Sequence, residues 1–315
     1  MKSDLFLVTG GFGFIGSHLV EKLLALDHKV IVIDDLSSGK RNNLVNVKNH
    51  KNLKIIIKKI QNVDDKIFKG IKGVFHLAAQ TSVQKSIQSP INSSSNNILG
   101  TLKIFEAAKK NAFPIVYAST SALYGNLKKS NDYSEEIDLI SPYAFDKYSM
   151  ELYAQVFANL FKTRSIGLRF FNVYGPRQDP NNDYSGVISI FTNQLLKNKT
   201  IKIFGGNQTR DFVFVSDVVN SIITSMRILK YRNVCESINV GSKKETSIKD
   251  LHKILKEKIK SKSKVKYLKL LKGDPMTSNG VFKKLKSVLN MSNKKFMDLD
   301  SGLDKTILYM RKNDE

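Results

Sequence analysis

Cysteine is nearly absent from this chain: its 315 residues include one, Cys235, so no disulfide can form within it. A single cysteine suits a reducing compartment, and we expect a cytoplasmic protein. Hydrophobic runs of membrane-spanning length are also absent, and glycines interrupt the apolar start where a signal peptide would continue its hydrophobic region. We therefore expect no membrane segment, no membrane partner and no signal peptide.

Acidic residues are few relative to basic ones: 28 Asp and Glu stand against 51 Lys and Arg, for a formal net charge of +23. Such an excess raises nucleic acid as a candidate partner. The excess is mainly lysine spread over the whole chain, without an arginine-rich helix or a basic strand interleaved with aromatic residues. We interpret it as solvated surface that would help attract a polyanionic substrate, and we expect no nucleic-acid partner.

A glycine motif near the start points to a dinucleotide. An apolar strand at 5–9 runs directly into Gly10, Gly13 and Gly16, and a helix follows. Gly10 permits a tight turn, Gly13 lets the backbone approach a pyrophosphate, and Gly16 allows close packing of helix on strand. A second strand ends at Asp34, whose carboxylate can accept both ribose hydroxyls of an adenosine. The alternative is a glycine-rich turn without a ligand, but the combination predicts an NAD site, since this carboxylate would repel the 2′-phosphate of NADP.

The pattern of apolar runs predicts the fold class. Short β-branched runs such as 53–57, 73–77 and 114–118 alternate with helical patterns such as 101–110 and 148–161. This alternation predicts an α/β fold with a Rossmann-type, doubly wound parallel sheet. Beyond residue 239 the chain is lysine-rich and is predicted to be helical, with a loop at 273–275. We expect an NAD-binding domain over 1–168, to which about 211–241 returns, and a smaller substrate-binding lobe from 169–210 and 242–315.

One side-chain pair is suited to proton transfer. Tyr143 and Lys147 lie one turn apart at the start of a predicted helix, so their side chains share a face. Such a pair is often a surface coincidence, but here it follows an NAD motif and a hydroxyl cluster, 119–121, at the end of a strand. A tyrosine near its ordinary pKa of about 10 is a poor base, and we expect the ammonium and the positive nicotinamide to favour the phenolate.

With these motifs the chain resembles the extended short-chain dehydrogenase/reductase family, in particular its NAD-dependent nucleotide-sugar epimerases and dehydratases, over nearly its whole length. The segments that carry the resemblance are 9–16, 34–39, 75–80, 97–101, 141–147 and 169–177. The resemblance implies a homodimer, the catalytic set Thr120, Tyr143 and Lys147, and no metal. The NAD-binding set that it implies is Gly10, Gly13, Phe14, Ile15, Gly16, Asp34, Asp35, Leu36, Ser37, Gly39, Ile60, Leu77, Ala78, Ala79, Asn97, Ser119, Tyr143, Lys147, Phe170 and Val173.

Two later segments, 171–191 and 202–212, are most similar to UDP-glucose and UDP-N-acetylglucosamine 4-epimerases. The resemblance implies that Phe204 flanks the uracil base and that Arg210 holds phosphate of a UDP-sugar; the alternative for Phe204 is an ordinary core aromatic. The substrate-binding set that it implies is Ser82, Val83, Asn172, Gly186, Val187, Lys202, Phe204, Arg210, Asp274 and Ser278.

The residues after Thr120 bear on the reaction. Dehydratases of the family carry an Asp–Glu pair there, whereas this chain has Ser121 and Ala122, so the acid and base for eliminating water are missing. The resemblance therefore favours C4 epimerisation of a UDP-hexose through a 4-keto intermediate. The alternatives are another nucleotide-sugar epimerase, dehydratase or reductase of the family, or a non-catalytic NAD-binding sensor.

Three positions depart from the family pattern. Lys59 stands where an aspartate near the adenine is common, and Leu271 where an arginine is expected before the C-terminal glycine. Asp146 stands where a serine is usual, between the catalytic tyrosine and lysine.

Overall fold

The computed structural model describes residues 3–181, 185–270 and 275–314. Among these, no helix is long and apolar enough to cross a membrane. The strands are β1 (Leu5–Thr9), β2 (Lys29–Asp34), β3 (Leu53–Ile57), β4 (Gly73–His76), β5 (Ile115–Thr120), β6 (Ser130–Asn131), β7 (Ser165–Phe170), β8 (Asn172–Tyr174), β9 (Ile201–Phe204), β10 (Thr209–Phe214), β11 (Cys235–Val240), β12 (Glu245–Ser247), β13 (Val265–Leu268) and β14 (Gly280–Val281).

Helices connect these strands. The α-helices are α1 (Phe14–Ala25), α2 (Val83–Gln88), α3 (Pro90–Ser94), α4 (Gly100–Asn111), α5 (Pro142–Phe161), α6 (Val187–Leu196), α7 (Val215–Tyr231), α8 (Ile248–Ile259), α9 (Lys283–Ser287) and α10 (Leu299–Asp314). A π-helical turn, Ser95–Leu99, joins α3 to α4, and short 3₁₀ turns span Arg41–Leu44, Ile60–Asn62, Asp65–Phe68, Ser121–Tyr124 and Asn293–Lys295.

Seven strands form the main sheet, in the order β11-β7-β5-β4-β1-β2-β3. The pairings from β3 through β2, β1 and β4 to β5 are all parallel. The chain moves outwards from β1 through β2 and β3, and then returns to β4 on the other side of β1. The order therefore reverses between β1 and β4, which is where ligands bind in sheets of this kind. The predicted α/β Rossmann-type fold is confirmed.

The strands at the centre of the sheet are apolar because helices cover both faces. Residues of β1, β2, β4 and β5 contribute Leu7, Ile33, Val74 and Ile115 to a core that Phe105 of α4 completes. Strands buried on both faces have continuous apolar runs rather than an alternating pattern, and these runs are the signal that the sequence carries.

Helix α5 begins earlier than the predicted pattern at 148–161. Pro142 occupies the first helical position, and the Ser141 hydroxyl caps the helix by accepting a hydrogen bond from the Ala144 amide at 3.2 Å. Proline is favoured there because its missing amide donor would have no partner within the helix. The earlier start places both Tyr143 and Lys147 inside the first two turns of α5.

The chain divides into two compact units. The first comprises Met1–Leu123, Ser141–Arg169 and Val219–Ile238, and the second Tyr124–Ile140, Phe170–Val218 and Asn239–Glu315. These boundaries differ from the predicted ones in two ways. Residues 124–140 group with the second unit, and the later segment that returns to the first unit is Val219–Ile238 rather than about 211–241. Long-range contacts explain the difference: β6 pairs with β14, and the Tyr124 hydroxyl donates to Asn239 Oδ1 at 2.8 Å.

The second unit contains small sheets that the sequence did not predict. β10 lies between β8 and β12, β9 pairs with β13, and β6 pairs with β14. Beyond the end of β11, the strands β12, β13 and β14 are two to four residues long. Such short strands show no alternation of apolar and polar residues that would distinguish them from the helical pattern predicted there. The predicted loop at 273–275 lies mostly outside the described residues.

Candidate functional site

A side chain has no room at Gly10, in the turn after β1, or at Gly16, in α1. Gly10 has φ +70°, and a Cβ there would lie 2.7 Å from the Ala78 amide nitrogen. A Cβ on Gly16 would lie 2.1 Å from the Gly10 carbonyl oxygen. The turn, the start of α1 and the segment after β4 therefore meet closely, so that a diphosphate can approach the backbone at the switch point of the sheet.

The start of α1 offers donors to an anion. Gly13 precedes the helix in extended conformation, and no side chain caps the first turn. The amides of the first turn, from Phe14, Ile15 and Gly16, have no partners within the helix, and the helix dipole places partial positive charge there. This end of α1 is suited to bind the pyrophosphate of a dinucleotide.

Asp34 is held at the end of β2 by the same turn. Its Oδ2 accepts from the Phe12 amide at 2.9 Å, and its Oδ1 accepts from the Leu36 amide at 2.8 Å. Burial raises the pKa of the carboxyl, while these two backbone hydrogen bonds lower it. Each oxygen keeps a further lone pair for a ribose hydroxyl. A Cβ on Gly39 would lie 3.0 Å from Oδ1, so the predicted 34–39 segment folds around this carboxylate.

A buried histidine supports the segment after β4. The Thr101 hydroxyl donates to the Asn97 carbonyl at 2.6 Å, so it accepts from His76 Nε2 at 3.1 Å. His76 Nδ1 then accepts from the Thr9 hydroxyl at 2.8 Å, and Thr9 Oγ1 accepts from the amides of Leu77 and Ala78. Burial, with a smaller contribution from the charge of Lys147, lowers the pKa of His76 to about 3. Neutral His76 therefore positions two residues of the predicted NAD set, through Thr9, to which the sequence prediction assigned no role.

The structure brings Thr120 and Tyr143 together. The two side chains are hydrogen-bonded, and the Tyr143 amide donates to the Ser86 hydroxyl at 3.0 Å. Burial raises the pKa of Tyr143, the Thr120 hydrogen bond lowers it, and the charge of Asp146 raises it. The neighbouring Lys147 ammonium is not among the groups that shift the pKa of Tyr143, so the expected lowering by this charge is not found, and burial makes the net shift upward.

Lys147 lies one turn after Tyr143, nearly fully buried. Its Nζ donates to the Ala118 carbonyl at 2.7 Å. Burial lowers the pKa of the ammonium to about 8, and the charge of Asp146 opposes this effect. A carbonyl takes one of the three ammonium protons, which leaves two for a ligand or another side chain.

A buried ion pair lies one further turn along α5. Arg169 Nη2 donates to Glu151 Oε2 at 2.6 Å, Arg169 Nε donates to Oε1 at 2.9 Å, and the Ser119 hydroxyl also donates to Oε1. Ser119, predicted to touch NAD, is thus tied to this pair. The sequence prediction missed Glu151; its position one turn after Lys147 on the same helix was the available signal.

Other predicted NAD residues are placed as follows. Asn97 Oδ1 accepts from the Gln80 amide at 2.8 Å, and its Nδ2 donates to the Gln80 carbonyl and to Asp146 Oδ2, both at 3.1 Å. Its amide is therefore engaged with the protein on both sides, and its contact with NAD stays a prediction. Ile60 is buried in the first unit. Asp35 and Ser37 bond within their own loop, Ala79 is half-buried after β4, and Phe170 and Val173 belong to the second unit.

Two of the predicted substrate residues, Ser82 and Val83, lie in the first unit. The Ser82 hydroxyl caps α2 by accepting from the Lys85 amide at 3.1 Å, and Val83 begins the helix with an exposed side chain. These contacts explain how Ser82 is held in place. Whether either residue touches a sugar stays a prediction.

In the second unit, β9 presents Lys202 and Phe204 on one face and buries Ile201 and Ile203 on the other. Phe204 is 37% exposed, which does not suit the alternative of an ordinary core aromatic. Arg210, at the start of β10, donates from Nη1 to the carbonyls of Thr209 at 2.7 Å and Pro275 at 2.8 Å. Its contact to Pro275 ties Arg210 to the chain two residues after Gly273, the glycine of the C-terminal family pattern.

The remaining substrate residues also lie in the second unit. Asn172 Nδ2 donates to the Asp211 carbonyl at 3.3 Å, Gly186 precedes α6 and Val187 begins it. Ser278 is half-buried ahead of β14, and Asp274 lies outside the described residues. Within the part of the chain that the structure describes, no cluster of three His, Cys, Asp or Glu side chains is arranged to hold a metal ion.

Comparison with known proteins decides the family. Residues 6–241 match the model of the NAD-dependent epimerase/dehydratase family. The chain belongs to this family. The glycine turn, the free end of α1 and Asp34 fit the NAD that gives the family its name.

The chain is similar to a putative UDP-glucose 4-epimerase of Methanocaldococcus jannaschii, with 37% identity over 98% of this chain and 99% of that protein. It is also similar to the crystal structure of a Thermotoga maritima UDP-glucose 4-epimerase with UDP-glucose, at 36% identity and TM-score 0.90 over 99% of this chain and 100% of that one. A UDP-N-acetylglucosamine 4-epimerase from Methanobrevibacter ruminantium, in complex with UDP-N-acetylmuramic acid, matches at 37% identity and TM-score 0.91, with the same coverage. The chain is therefore an enzyme of the NAD-dependent epimerase/dehydratase family, and its relatives include UDP-sugar 4-epimerases.

Proposed function

We propose that this protein interconverts the C4 epimers of a UDP-hexose, UDP-glucose with UDP-galactose, UDP-N-acetylglucosamine with UDP-N-acetylgalactosamine, or both. The observation that carries the proposal is the buried set of Thr120, Tyr143 and Lys147 in the unit that holds the glycine turn. The relatives of this chain include a UDP-glucose 4-epimerase and a UDP-N-acetylglucosamine 4-epimerase. They support C4 epimerisation as the reaction and leave open which of the two sugars is the substrate.

The protein's own residues handle the proton. Tyr143, as phenolate, takes the proton of the sugar 4-hydroxyl while the C4 hydrogen leaves as hydride, which produces a 4-keto sugar. NAD, when bound, would supply the acceptor for that hydride and the hydride that goes back to the opposite face of the 4-keto sugar. Thr120 hydrogen-bonds the phenolic oxygen and so favours the phenolate. Lys147 would use its remaining protons to hold the ribose of the nicotinamide half of NAD, and the positive charge there would offset the burial that opposes phenolate formation.

The chain beside Thr120 argues against elimination of water. Ser121 and Ala122 follow it in a 3₁₀ turn, and the Ala122 amide donates to Thr120 Oγ1 at 3.1 Å. Neither side chain can act as the carboxyl acid or base that the resemblance assigns to dehydratases. A sensor that binds NAD without turnover would have no need of this buried proton-transfer set.

We propose that the second unit supplies the contacts to the uridine diphosphate. The exposed face of Phe204 is suited to stack on a base, and Arg210, fixed by two backbone carbonyls, presents its guanidinium as a phosphate donor. Lys202 shares the exposed face of β9 and adds positive charge there. The single cysteine is consistent with a cytoplasmic location for this reaction.

We propose that the protein is a homodimer through α5. Its outer face carries Phe145, Leu152, Val156 and Leu160, all exposed, with Leu160 at 68%. Their spacing places them along one side of the helix, where a second copy of the same face would cover them. Light scattering in solution tests this proposal, and Val156→Glu with Leu160→Glu should yield monomers.

The decisive experiment combines substrates and one variant. Purified protein is incubated with UDP-glucose and UDP-N-acetylglucosamine, and C4 epimers are followed by NMR. Tyr143→Phe should bind NAD as the wild type does and lose turnover by about 100-fold or more, because only the proton acceptor is removed. Tyr153→Phe, which removes a partly exposed hydroxyl from the same helix, is the matched control and should keep full activity. A Tyr143→Phe variant that keeps more than about a tenth of kcat contradicts the mechanism. Tight NAD binding without turnover of any UDP-sugar by the wild type would favour the sensor.

A further inference from the structure

Asp146 is fully buried between the two proton-transfer residues. It lies on α5, three residues after Tyr143 and directly before Lys147, and its relative exposure is 0%. Ionisable side chains are seldom buried unless hydrogen bonds or an opposite charge compensate them. Asp146 stands where the family usually has serine, and a carboxyl at this depth therefore needs hydrogen bonds or an opposite charge to compensate its burial.

Three donors surround the Asp146 carboxyl. The Ser93 hydroxyl donates to Oδ2 at 2.7 Å, the Ser94 hydroxyl to Oδ1 at 2.6 Å, and Asn97 Nδ2 to Oδ2 at 3.1 Å. An ionised carboxylate is an acceptor only, and three donated hydrogen bonds are what it requires when water is excluded. The donors come from α3 and the π-helical turn, so they form a cradle for negative charge beside α5.

The cradle is itself tied to the segment after β4. Asn97 Oδ1 accepts from the Gln80 amide, and Ser93 Oγ accepts from Gln80 Nε2 at 3.4 Å. The same Asn97 therefore contacts both the chain that passes the predicted NAD site and the carboxyl next to Lys147. A displacement of Asp146 would be transmitted to α5 and to this segment together.

The charge of Asp146 acts on both neighbours in the same direction. It raises the pKa of Tyr143 and opposes the burial that lowers the pKa of Lys147. The other titratable groups facing the pair contribute little net charge: His76 on β4 is neutral, and Glu151 on α5 is paired with Arg169 on β7. Among the described residues around the pair, Asp146 is thus the main fixed negative charge.

We propose that Asp146 is a positioning residue that, held by Ser93, Ser94 and Asn97, sets the pH range over which Tyr143 and Lys147 transfer protons. This inference rests on the proposed function for its consequence in catalysis. Its physical content is that a buried negative charge keeps Lys147 protonated and holds back the Tyr143 proton. The alternative is that Asp146 only fastens α5 to α3.

The test removes the charge and keeps the shape. In Asp146→Asn, the Tyr143 proton is followed by phenolate absorbance of the NAD-bound protein, as the difference from the same protein carrying Tyr143→Phe. The apparent pKa of Tyr143 should fall by about one pH unit, as expected for loss of an adjacent like charge. Both limbs of the pH profile of kcat should move to lower pH with it, since the Lys147 proton is also lost more easily.

Two further variants separate charge from fastening. Ser94→Ala removes one of the three hydrogen bonds and keeps the charge, so it should not lower the pKa of Tyr143. Glu106→Gln removes a carboxylate from an exposed site on α4 and should leave the Tyr143 titration, NAD binding and activity unchanged. A Tyr143 titration that is the same in Asp146→Asn and wild type overturns the proposal and leaves Asp146 a structural tie.

The outcomes stay interpretable if a variant is unstable. Asp146→Ser, which places the usual family residue in the cradle, should fold and show the same lowered Tyr143 pKa. If neither Asp146 variant folds, Asp146 is a folding residue and the proposal is wrong. The titration uses NAD and no sugar, so an absence of turnover on every UDP-sugar contradicts the proposed function alone, while the titration still decides the role of Asp146.

Discussion

Lys147 Nζ donates to the backbone carbonyl of Ala118 at 2.7 Å, so a lysine of the predicted catalytic set joins α5 to β5. The pKa of this ammonium lies at about 8, lowered by burial. Lys147→Met should shift the pH optimum of turnover upward. The ammonium favours the Tyr143 phenolate, so without it the phenolate should form only at higher pH. The pH profile of kcat measures this shift, and Lys110→Met on the exposed face of α4 is the control. An unmoved profile contradicts the coupling between the two residues.

The buried pair of Glu151 and Arg169 should be important for stability. Glu151→Gln leaves the Arg169 charge without its compensating carboxylate, and the free energy of unfolding should fall by about 3 to 5 kcal/mol. Glu106→Gln, which breaks an exposed pair with Lys110, should change it little. Chemical denaturation measures the free energy of unfolding of both variants. Equal losses would contradict the prediction that the buried pair contributes more to stability than the exposed one.

His76 should make the fold sensitive to acid. Its pKa of about 3 in the folded chain lies below its ordinary value of 6.5, so between these values the unfolded chain binds a proton that the folded chain does not. Stability is therefore full above pH 6.5 and is lost as the pH falls towards 3, by up to about 1.4 kcal/mol per pH unit. His76→Gln should lose this part of the slope.

The measurement for His76 is the free energy of unfolding of both proteins across this pH range. Asp211 acts in the opposite sense, because burial raises its pKa from 3.8 to about 6. That contribution is common to both proteins, so it cancels in their difference. Parallel curves for wild type and His76→Gln would mean that His76 does not titrate as described.

Asp34 should select the cofactor. Its two oxygens already accept hydrogen bonds from the amides of Phe12 and Leu36. Their remaining lone pairs can accept from a ribose 2′-hydroxyl, whereas the carboxylate would repel a 2′-phosphate. We expect NAD to bind at least about tenfold more tightly than NADP, and Asp34→Ser to narrow the gap, since charge-assisted hydrogen bonds to the ribose are lost. Titration calorimetry with both cofactors checks this; equal affinities in the wild type rule out the assignment.

Ser278 should decide which sugars fit. The resemblance places at this position a residue whose size governs room for a 2-acetamido group, and a serine leaves space. Wild type should therefore accept UDP-N-acetylglucosamine alongside UDP-glucose. Ser278→Tyr should lose the acetamido sugar selectively, since overpacking costs about 1 to 3 kcal/mol.

The measurement for Ser278 is kcat/KM for both sugars. Thr277→Tyr adds the same ring at the preceding, exposed residue and should alter neither value. If both sugars change in parallel in Ser278→Tyr, or neither changes, Ser278 is a loop residue outside the sugar pocket.

The sequence by itself determined the first unit and its cofactor. The strands β1, β2, β4 and β5 are buried on both faces, so each is a continuous apolar run that can be recognised locally. The alternation of these runs with helical patterns predicts a doubly wound sheet. The roles of Gly10 and Gly16 could also be predicted, because a Cβ at either position would collide with backbone atoms and only glycine fits. These features depend on neighbours in sequence or on backbone geometry, which a linear pattern records.

Only the tertiary structure decided what surrounds Tyr143 and Lys147, the predicted catalytic pair. Asp146 meets Ser93, Ser94 and Asn97, Glu151 meets Arg169, and Thr9 meets His76, each across a long stretch of chain. The short strands of the second unit likewise exist only because distant partners such as β6 and β14 pair. Whether a buried carboxyl or hydroxyl is satisfied depends on donors that folding brings to hydrogen-bonding distance, and no spacing in the sequence encodes that distance.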